Sequence, residues 1–125
     1  MPFYGNLDPK KREDRWTAVG LLRLKRAVRK AIPPKRMDGN LLLATWNIRE
    51  FGGGRGGPRS KEALFYLAEI VSAFDLVAVQ EVRGNLGDFN RLMKLLGSWW
   101  RYLLTDVTLG DKGNNERLAF LYDWR

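Results

Sequence analysis

The sequence contains no cysteine and no histidine among its 125 residues. Without cysteine the chain can form no disulfide, no thiolate metal site and no cysteine nucleophile. The absence of histidine removes the commonest general acid or base and a common metal ligand. The sequence therefore excludes the most frequent catalytic and metal-binding side chains.

Long apolar segments are also missing. No run approaches the roughly 18 apolar residues of a membrane span, and the first residues lack the apolar core and small-residue cleavage pattern of a signal peptide. We therefore expect a cytoplasmic protein without a membrane span. A length of 125 residues with 45% hydrophobic residues fits one domain, or part of one.

Positive charge is concentrated near the start of the chain. The net charge is +8, and residues 1–40 carry eleven Lys and Arg against four Asp and Glu, whereas residues 41–125 carry eleven against ten. We accordingly predict two parts: a basic N-terminal extension over 1–40 and a globular part over 41–125.

Within the extension, the apolar spacing predicts an amphipathic helix over residues 17–32, preceded by a loop and ended by Pro33. Its apolar face includes Leu21, Leu24 and Val28, and the other face carries several arginines. The helix is expected to pack its apolar face on its own domain or on another chain. The alternative is a non-catalytic basic binding module, in which residues 17–32 contact nucleic acid or an anionic surface.

The globular part is organised around residues 41–83. An apolar run ending at Asn47 is followed by a glycine-rich loop, a helix that Ser60 is expected to cap, and a second apolar run ending at Glu81. Continuous apolar runs are typical of strands buried on both faces of a parallel sheet. The pattern predicts a strand, helix, strand unit.

In such a unit the carboxyl ends of both strands meet at one edge of the sheet, where open α/β sheets bind ligands. Asn47 and Glu81 are therefore expected to be neighbours, and their oxygens suit a magnesium ion. Arg49 and Arg83 follow each by two residues and are candidates to hold an anionic group. The alternative interpretation is that these four residues have no role in a site and are simply polar residues at strand ends and in loops.

Beyond Arg83 the sequence predicts a short helix that includes Phe89 and Leu92 and stops at Gly97. Strands over 99–107 and 117–122 are then expected to pair antiparallel. Glu116 opens the last strand, and no local partner singles it out.

Three ordered blocks stand out in the sequence: ATWNIREF at 44–51, DLVAVQEVR at 75–83 and NERLAFLY at 115–122. Together they resemble the endonuclease/exonuclease/phosphatase family, closest to its deoxyribonuclease I-like branch. The resemblance implies magnesium-dependent hydrolysis of phosphoric esters. It also implies that Glu81 is the metal-binding carboxylate and that Asn47 is a metal ligand or a polar partner beside it in the active site. Glu116 would support a catalytic histidine, and Arg49 and Arg83 would face the backbone of a nucleic-acid substrate.

The departures from the family are equally specific. The family's second half carries an acid/base histidine, an Asp-x-Asn motif and a closing Ser-Asp-His motif. This sequence has no histidine, and its Asp-x-Asn triplets, at 38–40 and 88–90, lie before the third block, so none of the three is present as the family places it. We therefore expect the N-terminal half of a nuclease-like phosphodiesterase, inactive or very weakly active alone. A second polypeptide that supplies the other half is a further possibility. Asn114 stands where the nuclease branch carries a tyrosine.

The fold class that the resemblance implies is α+β or α/β: one half of a four-layer α/β/β/α sandwich, truncated, with an N-terminal basic helical extension. One sheet of a two-sheet sandwich leaves an apolar face without its partner layer. We therefore predict a marginally stable chain that self-associates or aggregates.

Overall fold

A computed structural model describes residues 2–36, 38–51, 60–82, 86–105 and 117–125. These residues form a small mixed α/β domain with three helices and one four-stranded sheet. The helices are α1 (Arg12–Ala31), α2 (Lys61–Val71) and α3 (Gly87–Leu96), and the strands are β1 (Leu43–Phe51), β2 (Leu76–Val82), β3 (Trp100–Leu104) and β4 (Arg117–Asp123).

The sheet has the strand order β1-β2-β4-β3. The parallel pairing of β1 with β2 and the antiparallel pairing of β3 with β4 confirm the sequence-based predictions. The insertion of β4 between β2 and β3 was not predicted, because short-range spacing shows which strands follow one another and not which strand lies between them. The sheet is consequently mixed rather than parallel.

Helix α2 forms as the sequence predicts. The Ser60 hydroxyl accepts a hydrogen bond from the backbone N–H of Ala63 at 3.1 Å, which caps the first turn. The apolar stripe of this helix is buried, and it consists of Leu64, Leu67, Ala68 and Val71. Phe74 lies beyond the helix end and is partly buried against the core. Helix α3 ends before Gly97, whose φ of +94° lies in the region that favours glycine.

The core lies between the helices and one face of the sheet. Its fully buried side chains include Phe65 from α2, Phe89 and Leu92 from α3, and Val79 and Leu121 from the central strands. Along β2 and β4, buried residues such as Val79 and Leu121 alternate with residues whose side chains lie on the opposite face of the sheet. The helices therefore bury one face of the sheet only.

The opposite face, which we call the open face, is exposed along the outer strands β1 and β3, whereas Leu76, Ala78 and Phe120 on the central strands are partly buried. Leu43 on β1 is 60% exposed and Leu103 on β3 is 62% exposed, and Thr45, Asn47 and Gln80 are exposed beside them. The prediction that β1 is buried on both faces is therefore wrong for the described residues. The apolar run of β1 reflects a strand whose second face has no covering layer in the described part of the chain.

Helix α1 is longer than predicted. It begins at Arg12 and ends at Ala31, so residues 12–16 are helical and not a loop. Glu13 and Asp14 in the first turn favour this earlier start, because acidic side chains stabilise the amino end of a helix. Helix α1 packs against α2, and Leu21 belongs to the core. The expectation that the helix packs on its own domain is confirmed.

Candidate metal and phosphate site

Strands β1 and β2 carry the candidate site at their carboxyl ends. Asn47 on β1 is the register partner of Gln80 on β2. Neighbouring strands lie about 4.8 Å apart, so the backbone of Asn47 is one strand spacing from Gln80 and close to Glu81, the next residue of β2. The parallel pairing thus brings the Asn47 and Glu81 backbones to the same edge of the sheet.

Both strands depart from regular pairing at this edge. The five residues of β1 from Asn47 to Phe51 lie opposite only three residues of β2, Gln80 to Val82. The four residues of β2 from Val79 to Val82 lie opposite three residues of β4, Arg117 to Ala119. Irregularities of this kind redirect side chains and are common beside active sites.

The strand end at Asn47 was predicted wrongly. β1 continues through Asn47 to Phe51, and β2 continues through Glu81 to Val82. Ile48 explains the extension of β1, because its side chain is 5% exposed and belongs to the core. Asn47 precedes this anchor and is exposed on the open face, as is Gln80. An amide at this position is accessible to solvent and to ligands.

For the other predicted site residues the structure describes the backbone alone or nothing. The backbones of Arg49 and Glu81 belong to β1 and β2 at this edge, and their side chains are outside the described part of the structure. Arg83 and Glu116 lie outside the described residues, as do Asn114 and the glycine-rich loop at 52–59. Their predicted roles remain predictions.

Arg117 was not among the site residues predicted from the sequence. Its backbone pairs with Val82 across β2 and β4, so the amino end of β4 lies at the edge that also carries Glu81. The signal available in the sequence was only its position at the start of the last strand. The backbone at the amino end of β4 therefore lies beside the candidate site.

The donor types at this edge fit magnesium. Mg²⁺ prefers oxygen ligands and commonly takes one or two carboxylates while keeping several waters. Asn47 is exposed at this edge, and the next residue of the paired strand after Gln80 is an acid, Glu81. Among the side chains that the structure describes, no group of three or more His, Cys, Asp or Glu residues comes together. A site with one carboxylate, one amide and water needs no such group.

Two carboxylates with little exposed side-chain surface, Asp14 and Asp123, form ion pairs within the fold and are not among the predicted site residues. Burial by itself raises the pKa of Asp123, but hydrogen bonds from Arg125 and Lys35 outweigh it and hold that pKa below its usual range. The backbone N–H of Asp8 and the Lys61 ammonium together lower the pKa of Asp14. Both groups are paired with cations, at 2.9 Å for Lys35 with Asp123 and 3.0 Å for Lys61 with Asp14.

Comparison of the sequence with protein-family models and with curated proteins gives no match. In the described residues, no helix is both long enough and apolar enough to cross a membrane.

Proposed function

We propose that this chain carries the metal-binding half of a magnesium-dependent phosphodiesterase site of the endonuclease/exonuclease/phosphatase type, with nucleic acid as the substrate class. In this proposal Glu81 and Asn47 hold the metal and Arg49 and Arg83 bind phosphate. Glu116 supports a histidine that another half of the domain supplies. The metal, when bound, neutralises charge that develops on the phosphate oxygens.

The observation that carries the proposal is the parallel register of β1 and β2. Asn47 and Gln80 are partners in that register, so the two resembling blocks, 44–51 and 75–83, meet at one sheet edge. The third block, 115–122, includes all of β4 except its last residue, Asp123, and β4 pairs with β2. Three blocks that are separate in sequence thus converge on one side of one sheet.

The open face supports the finer fold assignment within the same proposal. A sandwich of two sheets needs an apolar face on each. Leu43 and Leu103 supply such a face here. We propose that a second sheet covers it and brings the missing acid/base groups, either from more of the same polypeptide or from a second one.

The experiment that tests the proposal follows the binding of thymidine monophosphate by NMR, with and without Mg²⁺. The expected result is a set of amide shift changes at Asn47, Gln80 and Glu81 that requires Mg²⁺ and is lost in Glu81→Gln. Glu13→Gln is the matched control, because Glu13 is an exposed glutamate on α1. Shift changes that are independent of Mg²⁺, or that persist in Glu81→Gln, would overturn the assignment.

A further inference from the structure

Helix α1 is held on the domain with one defined side inward. Its buried residues Asp14, Thr17 and Leu21 recur at helical spacing. The Asp14 carboxylate accepts hydrogen bonds from Lys61 Nζ at 3.0 Å and from the backbone N–H of Asp8 at 2.8 Å. Gly20 lies so close to Tyr66 that an added Cβ would overlap the Tyr66 hydroxyl. The rotation of α1 about its own axis is therefore fixed, and its opposite side faces outward.

The outward side, which we call the outer face of α1, combines apolar and cationic side chains. Trp16, Val19 and Leu22 are 63%, 46% and 62% exposed. The cations of the outer face are all exposed and consist of Arg12, Arg15, Arg23, Arg26, Arg29 and Lys30. Within α1 the acidic residues are Glu13 and Asp14, and Asp14 is buried. The outer face is thus strongly positive along a helix about 30 Å long.

The apolar residues of this face are not explained by packing in the described structure. A single exposed apolar side chain is ordinary, but Trp16, Val19 and Leu22 recur every three residues on the side away from α2. The arginines alternate with them along the same side. If the outer face were simply exposed to water, its apolar side chains would contribute nothing to stability.

The combination matches a helix that lies in the interface of a membrane. Such helices insert aromatic and aliphatic side chains at the boundary between headgroups and acyl chains, and their Arg and Lys side chains contact anionic headgroups. Tryptophan favours this depth because its ring is apolar with one polar group. Arginine stems extend along apolar surface while the charged ends stay at the headgroups.

A nucleic-acid partner fits this face less well. Phosphates would accept the same arginines, and Trp16 offers a ring for base stacking. The side chains of Val19 and Leu22 have neither an aromatic ring for stacking nor a hydrogen-bonding group, so a nucleic acid would make no specific contact with them. We propose that the outer face of α1 binds a membrane surface that carries anionic lipids, and holds the domain there peripherally.

The test is co-sedimentation of the full chain with vesicles of phosphatidylcholine, with and without phosphatidylserine, at physiological ionic strength. Binding is expected only with phosphatidylserine. Arg26→Glu should weaken vesicle binding about fivefold or more, because each Lys or Arg near an anionic membrane surface strengthens binding about fivefold. Lys94→Glu on α3 changes the net charge equally and should weaken it less.

The apolar contribution has its own matched pair. Leu22→Ser should weaken vesicle binding about fivefold or more because it removes inserted apolar surface. Leu103→Ser on the open face starts from the same 62% exposure and should leave binding unchanged. All these positions are exposed, so the variants should fold as the wild type does.

Three outcomes would overturn the proposal. The first is equal binding to vesicles with and without phosphatidylserine. The second is an effect of Leu103→Ser as large as that of Leu22→Ser, which would assign lipid binding to the open face. The third is binding of an oligonucleotide, but not of vesicles, that is weakened by Arg26→Glu and unaffected by Leu22→Ser, which would make the outer face a nucleic-acid contact.

Discussion

Asn47 and Gln80 are register partners on adjacent parallel strands, which brings the residue after Gln80, Glu81, to the same sheet edge as Asn47. Asn47 and Glu81 are 34 positions apart in the chain, and helix α2 lies in the connection between their strands. The proposed metal site depends on this relationship. So does the placement of Arg49, whose backbone continues β1 two residues further.

The first prediction concerns activity. The purified chain should not cleave plasmid DNA detectably in the presence of Mg²⁺, because no histidine is present to activate water or to protonate the leaving oxygen. Gel electrophoresis of supercoiled plasmid measures this directly. Cleavage that Glu81→Ala abolishes would contradict the expected inactivity while supporting the metal site, and cleavage that survives Glu81→Ala would count against both.

A second prediction concerns the open face. The chain should self-associate as its concentration rises, because Leu43 and Leu103 are exposed on a face that the described helices leave uncovered. Leu103→Lys should reduce the association seen in sedimentation velocity. Leu22→Lys on α1 starts from the same 62% exposure and should not reduce it. A wild-type chain that stays monomeric throughout would show that this face does not drive association.

Helix α1 gives a third prediction, on stability. Leu21 is 4% exposed and packs in the core, so Leu21→Ala should lower the free energy of unfolding by about 2–3 kcal/mol. Leu22→Ala, one residue along and exposed, should change it by less than about 0.5 kcal/mol. Urea unfolding followed by circular dichroism measures both. Equal effects would mean that α1 does not unfold together with the rest of the domain.

Acid stability provides a fourth prediction. The pKa values of Asp14 and Asp123 are lowered in the folded chain, so the charged carboxylates stabilise it above their unfolded pKa of about 3.8. This contribution is lost as the pH falls below that value through the folded pKa. The melting temperature should therefore decrease below about pH 4.

Asp123→Asn tests the assignment of that acid dependence. The variant should be less stable than wild type near neutral pH, and its melting temperature should fall less on acidification. Asp38→Asn, in an exposed segment between α1 and β1, is the control and should behave as wild type. An acid dependence as steep in Asp123→Asn as in wild type would assign the effect to other carboxylates.

The sequence predicted those elements whose signals are local. The apolar spacing of α2, its cap at Ser60, the stop of α3 at Gly97 and the parallel pairing of β1 with β2 all follow from short-range patterns. The start of α1 was set too late because Trp16 and the charged residues before it have no apolar period. Their helical structure is favoured by the acidic first turn and by the tertiary contact of Asp14 with Lys61.

What the sequence could not predict was long-range. The position of β4 between β2 and β3 is central in the sheet, where its residues Ala119 and Leu121 are fully buried. No local pattern in the sequence encodes that position. The irregular register after Asn47 and Val79 has no sequence signal such as a glycine or proline inside the strands. For the candidate site, residue types and strand order predicted the shared edge of Asn47 and Glu81, whereas the continuation of β1 through Ile48 came from core packing.

The most direct test of the metal proposal is paramagnetic broadening of amide NMR signals by Mn²⁺, which occupies sites of the magnesium type. In wild type the signals of Asn47, Gln80 and Glu81 should broaden at the lowest Mn²⁺ concentrations, and Mg²⁺ should restore them. Glu81→Gln should abolish this effect, and Glu13→Gln should retain it. Broadening centred on other residues, or unchanged in Glu81→Gln, would contradict the account.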